Sequence, residues 1–427
     1  MAATLWASAA DRRRIGGADS SVLLVGGYDG SGNFGDVLQL AAAIETVRGL
    51  SGSPLPIAVV ERETHAHHTA LLERHPAQLG GAAFVHYHEG GDAEEDGLLE
   101  VEPESAPNRS ALYLYGGGYV NGWWGHRKAA HADAAERLAG TGSLPVVASG
   151  LQADAETVAP DGAAHKLLSR ASWIGVRDAL SLEHVRAHVI GPVELCGDDS
   201  VPCLRFPPVP VEPVVNLHLN PGEWVSEDTN SVVRRIVGLL QGLGDASPHP
   251  LQLQPVIAYE DPRVSERRAV SALLEEHGEA LEGAGLTPSV PVDLLADATG
   301  NELRRFRRAR LTVACSYHVT LTSLLGEVPP VLLADNAYYG QKAAGLRDLF
   351  GLDRGLLGIE GRAADAAVAS GAALDGSPRA ELLDRLRVAS GRVVERYERG
   401  RKRVASALAT ALRRNRLRRT LRWGRAA

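Results

Sequence analysis

The sequence predicts a two-domain α/β protein built on parallel sheets, and three observations lead to this fold class. The chain has 427 residues, which is too long for one ordinary hydrophobic core and suits two domains. Apolar runs of strand length alternate with longer helix-like stretches, as in parallel sheets with crossover helices. The proline-dense stretch at 206–213 can neither continue a helix nor pair as a central strand. We therefore expect the domain boundary there.

Two sets of apolar runs form the predicted sheets. The first set comprises 21–27, 55–61, 111–118, 144–150 and 172–178, and the second comprises 214–220, 253–259, 311–316 and 329–335. The predicted organisation is a disordered leader (1–20), an N-terminal Rossmann-like domain (21–205), a proline-rich linker (206–213), a C-terminal Rossmann-like domain (214–377) and a helical, basic tail (378–427). We expect the working site in an anion-binding cleft between the two domains.

Composition excludes several classes of protein. A hydrophobic fraction of 44% and a charged fraction of 23% are close to globular averages, so the chain is neither fibrous nor wholly disordered. No run approaches the ~18 apolar residues that span a bilayer. Cys196, Cys203 and Cys315 are too few and too widely spaced for a disulfide framework or a zinc pattern. We expect a protein of the reducing cytoplasm.

Charge is distributed unevenly along the chain. The net charge is −7, yet the stretch from Arg399 to the end is rich in Arg and contains no acid. The acidic body argues against nucleic-acid binding. In the tail, Val404, Leu408 and Leu412 recur at near-helical spacing, which leaves two interpretations open. The tail either lies on an anionic membrane surface, at the inner face of the membrane, or is a solvated basic end or a strap on the acidic body.

A glycine-rich loop follows the first predicted strand, and residues 26–36 read GGYDGSGNFGD directly before a helix-like stretch. Glycines let backbone amides approach a ligand, and a helix N-terminus adds partial positive charge, so Gly32, Asn33 and Gly35 are candidate anion-binding residues. Two alternatives remain open. GSGNFG also fits a dinucleotide fingerprint with Glu61 as the ribose-binding acid, and Asp36 is equally suited to capping its helix.

A second glycine cluster, Gly116 to Gly118, ends the third strand and leads into Asn121 and Trp123. A flexible strand end followed by an amide and aromatic rings suits sugar stacking or a phosphate nest. Gly117 and Gly118 are therefore candidate anion ligands, and Asn121 and Trp123 are candidate acceptor ligands. The alternative is a glycine-rich crossover with core tryptophans.

Further candidates lie where other strands end. Arg177 would point a cation to the carboxyl edge of the first sheet, unless it forms a buried salt bridge with Asp178. Ser316 and His318 stand at a strand-to-helix junction in the second domain, where amides, hydroxyl and imidazole converge on one anion. The alternative is that His318 is a plain helix-start residue.

Tyr338 and Lys342 follow the next strand and are expected at the same rim as His318. The histidines at 65, 67, 68, 86 and 88 have no acid or cysteine at a convincing ligand spacing. No metal site is therefore predicted.

As an ordered set, these motifs resemble the polysaccharide pyruvyl transferase family over roughly residues 20–350. The resemblance depends on GNFGD (32–36), GGG with Asn121, GVRD (175–178), GDDSV (197–201), the His318 helix start and Lys342. It implies a GT-B-like fold of two Rossmann-like domains facing a central cleft. It also implies an enzyme that transfers the enolpyruvyl group of phosphoenolpyruvate to two hydroxyls of a cell-envelope or exported glycan, free or lipid-linked, without a cofactor. His318, Arg177 and Asp36 would be catalytic.

The sequence departs from the family pattern at two places. Ser316 stands where the family usually has an arginine, and the usual Gly-Gln stretch after the fourth strand is Gly150-Leu151-Gln152 here. Loss of a charged hydrogen bond costs about 1.5 to 3 kcal/mol, so Arg307, Arg308 or Arg310 compensates, or the donor has changed, or activity is lost. A nucleotide-sugar glycosyltransferase and a catalytically weakened binding homologue are the alternative functions.

Overall fold

The computed structural model of the protein describes residues 4–30, 32–61, 65–88, 98–102, 104–107, 109–122, 124–140, 144–205, 207–221, 229–261, 264–297, 300–333, 337–352 and 376–423. The chain divides into two compact units. Unit 1 comprises residues 1–31, 36–200 and 395–427, and unit 2 comprises residues 32–35 and 201–394. The main boundary therefore falls after Ser200, just before the proline-dense stretch where the sequence places it.

The strands are β1 (Thr4–Ser8), β2 (Ser21–Val25), β3 (Gly32–Asn33), β4 (Leu55–Glu61), β5 (Ala83–His88), β6 (Leu98–Glu100), β7 (Ser110–Leu114), β8 (Gly117–Val120), β9 (Val146–Ala153), β10 (Ala171–Val176), β11 (Val193–Leu195), β12 (Val214–Leu217), β13 (Leu251–Ile257), β14 (Tyr259–Glu260), β15 (Leu286–Pro288), β16 (Val292–Asp293), β17 (Leu311–Ala314) and β18 (Pro330–Leu332).

The helices are α1 (Ala9–Gly16), α2 (Phe34–Arg48), α3 (His65–Arg74), α4 (Pro76–Leu79), α5 (Gly125–Leu138), α6 (Ala155–Val158), α7 (His165–Leu168), α8 (Ala179–His188), α9 (Thr229–Ala246), α10 (Glu266–Gly283), α11 (Asn301–Arg307), α12 (Tyr317–Leu325), α13 (Ala337–Phe350) and α14 (Gly376–Trp423), with a 3-10 turn at Val201–Leu204. Every predicted strand overlaps an observed one. Among the described helices, none is both long and apolar enough to cross a membrane.

Unit 1 contains a doubly wound sheet in the order β11-β10-β9-β7-β2-β4-β5-β1-β6, with β8 pairing to β9. The strands from β11 to β5 are parallel, and β1 runs antiparallel to both β5 and β6. β2 is the first strand of the parallel set, and the order runs from it in both directions. The switch point therefore lies between β2 and β7, and such sheets bind ligands beside the strand ends at this point. The loop after Val25 and the glycines after Leu114 follow these two strand ends.

The predicted disordered leader is wrong over the residues that the structure describes. Thr4–Ser8 forms β1, whose residues alternate between partly exposed and buried, and Ala9–Gly16 forms α1. Ser8 caps this helix by accepting a hydrogen bond from the amide of Asp11 at 3.0 Å. Leu5 and Ile15 are buried in the unit 1 core, and this burial is the physical reason for order.

Unit 2 repeats the same design on a smaller scale. Its sheet has the order β15-β13-β12-β17-β18, all parallel, with β16 pairing to β13. β12 is the central first strand, so the switch point lies between the ends of β12 and β17. A separate two-stranded ribbon pairs β14 with β3, and β3 comprises the first two residues of the GNFGD motif.

The predicted helical, basic tail is present as α14. Residues up to 394 group with unit 2, where Ser390 donates to the carbonyl of Leu324 at 2.9 Å. Residues from 395 group with unit 1, where Val404, Leu408 and Leu412 are buried and Arg401 pairs with Glu45 at 3.0 Å. Up to Leu412, the apolar side of the tail therefore packs on the protein.

Candidate active site

His318 lies in the first turn of α12, directly after β17, and its ring packs on the backbone of Gly35. A Cβ added to Gly35 would lie closer than 3.0 Å to three atoms of the ring, Nδ1, Cγ and Cε1. This position therefore requires glycine for a steric reason and not for backbone conformation. The structure brings together two of the predicted site residues that are far apart in sequence.

Neighbouring residues of the motif hold Gly35 in place. Gly32 and Asn33 pair with Glu260 and Tyr259 in the ribbon, and the amide of Phe34 donates to the carbonyl of Ala258 at 2.9 Å. The Asn33 side chain accepts from the Gly35 amide at 3.1 Å at the start of α2. The residue whose side chain caps this helix is therefore Asn33, whereas Asp36 lies within the first turn.

A buried histidine–carboxylate pair, which sequence reasoning missed, connects the two segments that meet at His318. His218 Nε2 donates to Glu266 Oε1 at 2.9 Å, and His218 Nδ1 accepts from the Cys315 amide at 3.3 Å. Glu266 Oε2 accepts from the amides of Ala258 and Tyr259 at 2.7 and 2.8 Å. One carboxylate and one imidazole thus fix both the ribbon beside Gly35 and the strand end before His318.

Ser316 occupies the N-cap of α12 with extended backbone, and its side chain makes no capping hydrogen bond. The arginines proposed to compensate lie elsewhere. Arg307 donates to the carbonyl of Leu325, at the other end of a nine-residue helix about 13 Å long. Arg308 pairs with Glu212 at 2.9 Å, and Arg310 precedes β17, at the opposite end from Ser316. Within the described residues, none of the three takes the place of the family arginine.

Lys342 supplies a cation on α13. Its Nζ lies 3.9 Å from the ring centroid of Tyr338 and 4.6 Å from that of Tyr339. Cation–π contacts of this kind orient an ammonium, and Lys342 is a candidate anion ligand. Tyr338 and Lys342 are in contact on one helix, and their approach to the rim of His318 stays a prediction.

In unit 1, Asp198 is the centre of a buried polar network that joins several motifs. It accepts from Gln39 of α2 at 3.0 Å, from Arg177 at 3.2 Å and from the Ser200 hydroxyl at 2.6 Å. Arg177 also donates to the Gln152 side chain and lies 4.0 Å from Asp178. Arg177 thus stands at the predicted strand end, but its main ionic partner is Asp198, and the predicted salt bridge to Asp178 is the longer contact.

Asp199 forms the other half of this network. It accepts from the Ser149 hydroxyl at 2.6 Å and from the Gly116 amide at 2.8 Å, which anchors the first residue of the GGG cluster. Burial raises the pKa of Asp199 to about 7, because a buried carboxylate loses its hydration, although these two hydrogen bonds act in the opposite direction. The GDDSV motif therefore anchors the GGG cluster, through the hydrogen bond from the Gly116 amide to Asp199.

The GGG cluster interrupts a strand, because β7 before it and β8 after it both pair in parallel with β9. Gly117 has φ of +124°, where a side chain would be strained, and an added Cβ would lie 2.7 Å from the Tyr119 ring. The Asn121 side chain donates to the carbonyl of Gly118 and accepts from the Trp124 amide at 3.0 Å, so it shapes the turn that follows β8. Trp123 lies outside the described residues.

The first glycine loop has a matching close approach inside unit 1. A Cβ on Gly27 would lie 2.6 Å from Asp36 Oδ1, so the carboxylate of Asp36 packs directly against the loop backbone. Asp36 and Arg177 belong to unit 1 and His318 to unit 2. Their joint action in catalysis stays a prediction.

The dinucleotide alternative meets a specific obstacle. Glu61 ends β4 as the dinucleotide fingerprint requires, but it is buried and pairs with Arg127 at 2.7 Å. His65 and His86 contact each other at 3.3 Å, and burial lowers the pKa of His68 to about 3. No group of His, Cys, Asp or Glu suited to a metal occurs among the described side chains.

With parallel sheets in both units, the chain has a GT-B-like α/β fold, which it shares with solved structures. TcCGT1 in complex with UDP is 12% identical, with a TM-score of 0.54, over 93% of this chain and 100% of that one. UDP-glucose: anthocyanidin 3-O-glucosyltransferase in complex with UDP is 8% identical, with a TM-score of 0.54, over 92% and 99%. UDP-GlcNAc 2-epimerase from Neisseria meningitidis is 9% identical, with a TM-score of 0.50, over 86% and 94%. At these identities the likeness concerns the fold alone.

The family is established by sequence. The model of the polysaccharide pyruvyl transferase family matches residues 33–336, which is most of the chain. The protein therefore belongs to the polysaccharide pyruvyl transferase family and is classed as a transferase. No curated protein matches the chain.

Proposed function

We propose that the protein transfers the enolpyruvyl group of phosphoenolpyruvate to a sugar of a cell-envelope or exported glycan, forming a pyruvate ketal in the cytoplasm. The observation that carries this proposal is the contact between His318 and Gly35 of the GNFGD motif, within the region that matches the family. Membership of the family supplies the reaction class, and the contact supplies a confined imidazole for proton transfer.

The proposed reaction has two additions at C2 of the donor. First, a sugar hydroxyl adds to C2 while C3 gains a proton and becomes a methyl group. The C2–O bond to phosphate then breaks, and a second hydroxyl adds to C2 as inorganic phosphate leaves with the second proton. The products are the ketal and phosphate. His318 is the proposed group for the first proton transfer, and Asp36 is the candidate for the transfer of the second proton.

Donor binding needs positive potential for a phosphate and a carboxylate. The amides at the N-terminus of α12 and the ammonium of Lys342 supply it in unit 2. Ser316 offers a hydroxyl where the family has a guanidinium, so the proposal predicts a weakened donor site and not an absent one. The arginines nearby in sequence do not replace that charge.

The first experiment compares ligands by thermal unfolding. Phosphoenolpyruvate is expected to raise the Tm of the protein, whereas UDP-sugars and NAD leave it unchanged, because only a ligand of the folded state shifts unfolding by mass action. Stabilisation by a UDP-sugar alone would replace the proposal with the glycosyltransferase alternative.

The second experiment restores the missing cation. Ser316→Arg is expected to tighten phosphoenolpyruvate binding by about 10- to 100-fold, the equivalent of one charged hydrogen bond. Ser271→Arg, on an exposed position of α10 in the same unit, is the matched control and should leave the affinity unchanged. If Ser316→Arg abolishes a robust wild-type activity, the site is built for a different donor.

A further inference from the structure

Helix α5 of unit 1 carries a buried ammonium without a partner. Lys128 is 6% exposed, and its Nζ makes no hydrogen bond within the described structure. No carboxylate of the described residues forms an ion pair with it. Burying an unpaired charge is costly, so such a group in a folded protein calls for a ligand that is absent here.

A second orphan lies one turn along the same helix. His131 is buried, and neither of its ring nitrogens makes a hydrogen bond, although Nε2 lies 3.4 Å from Glu61 Oε1. Burial lowers the pKa of His131, and the positive charge of Lys128 lowers it further. Residues three apart share one face of a helix, so Lys128 and His131 lie on the same side of α5.

The charges around these two side chains favour an anion. Arg127 and Glu61 neutralise each other at 2.7 Å, which leaves Lys128 as the uncompensated charge of α5 at this point. Asp29 is the other acid close enough to influence the pKa of His131, and it does so by electrostatic attraction without a hydrogen bond. Lys128 is also in the first turn of α5, where the positive end of the helix dipole adds to the potential.

The location suits a ligand of the neighbouring glycine loops. α5 follows the GGG cluster and β8, and it packs on β4 and on β2 and β7, the two strands that flank the switch point of unit 1. Side chains on a helix lean towards its N-terminus, so Lys128 leans towards the loop end of the helix. The loop there includes Asn121, a predicted acceptor ligand.

We infer that unit 1 binds a phosphate or diphosphate group at the N-terminus of α5, with Lys128 as its principal charged ligand. The inference deepens the proposed function, on which the identity of the ligand as a phosphorylated sugar acceptor depends. His131, neutral at physiological pH, donates from one ring nitrogen to a phosphate oxygen, and the ammonium of Lys128 gains the partner that the polypeptide does not supply.

The test uses inorganic pyrophosphate as the probe and the full-length Lys342→Met variant as the background, so that anion binding in unit 2 does not contribute. Pyrophosphate is expected to raise the Tm of this variant. Adding Lys128→Met should weaken pyrophosphate binding at least tenfold, while the ligand-free protein keeps or gains stability because an unpaired charge is removed. Lys166→Met, on an exposed position of the same unit, is the matched control and should retain the effect.

Equal stabilisation by pyrophosphate with and without Lys128→Met, or none in the Lys342→Met background, would overturn the inference. If Lys128→Met fails to fold, Lys128→Arg takes its place and should preserve binding, because the charge remains. Loss of binding in a folded Lys128→Arg protein would also count against the site. Phosphoenolpyruvate binding to the wild type is measured separately. Its loss would refute the proposed function, whereas the pyrophosphate results decide only on the site in unit 1.

Discussion

Gly35→Ala tests the central contact of the candidate site. The added methyl group would overlap with Nδ1, Cγ and Cε1 of His318, all closer than 3.0 Å. Either the imidazole rotates away or the ribbon formed by β3 and β14 shifts. Overpacking of this kind costs typically about 1 to 3 kcal/mol of stability, and a misplacement of about 1 Å at a reacting group costs roughly 100-fold in rate.

Two measurements separate these consequences. The imidazole resonances of His318 in NMR spectra should shift in Gly35→Ala even without substrate, and phosphoenolpyruvate-dependent phosphate release should fall about 100-fold. Gly278→Ala is the matched control, because Gly278 also lies in a helix of unit 2 and an added Cβ meets nothing within 4 Å. Its stability should rise by up to about 1 kcal/mol. Unchanged His318 resonances in a stable Gly35→Ala protein would refute the reasoning.

Three further predictions follow from single residues. His318→Ala should lower kcat by about 10² to 10⁴ with an unchanged Tm, and wild-type turnover would exclude proton transfer by His318. Because burial raises the pKa of Asp199 from 3.8 to about 7, the folded protein keeps a proton that the unfolded chain has lost, so stability should fall as pH rises through this window. Asp199→Asn should flatten that slope, of order 1.4 kcal/mol per pH unit, in denaturant titrations. Leu408→Ala should lower the free energy of unfolding by about 2 to 5 kcal/mol, because Leu408 is buried. The exposed Val388→Ala is the control and should change it by no more than about 0.5 kcal/mol. Equal losses in the two variants would mean that the tail does not pack on the protein.

The sheets were predictable because their central strands are buried on both faces. β4 coincides with the predicted run 55–61, and the other runs overlap their strands with ends shifted by a few residues. β1 was not predictable for the opposite reason. It is short and pairs antiparallel with β5 and β6, so its order depends on partners far along the chain and not on a local pattern.

The candidate site was predictable in part. Parallel sheets place Ser316 and Arg177 at strand ends, and the structure has them there. The contact of Gly35 with His318 could not be read from sequence, since it depends on a two-stranded ribbon. The pair of His218 and Glu266 gave one usable signal, because a histidine within the apolar run 214–220 must find a partner when buried. Nothing local identifies that partner as Glu266.

The division of the chain into units has a consequence for synthesis. Residues 32–35 belong to unit 2 although they emerge from the ribosome with unit 1, and unit 1 itself is completed by residues from 395 onward. Neither unit is therefore a continuous segment, and the ribbon beside His318 forms only after more than half of the chain has been made. Pairings across such long sequence separations form slowly. A recombinant fragment starting at Val201 would lack β3 and Gly35, and would present His318 without the backbone that confines it.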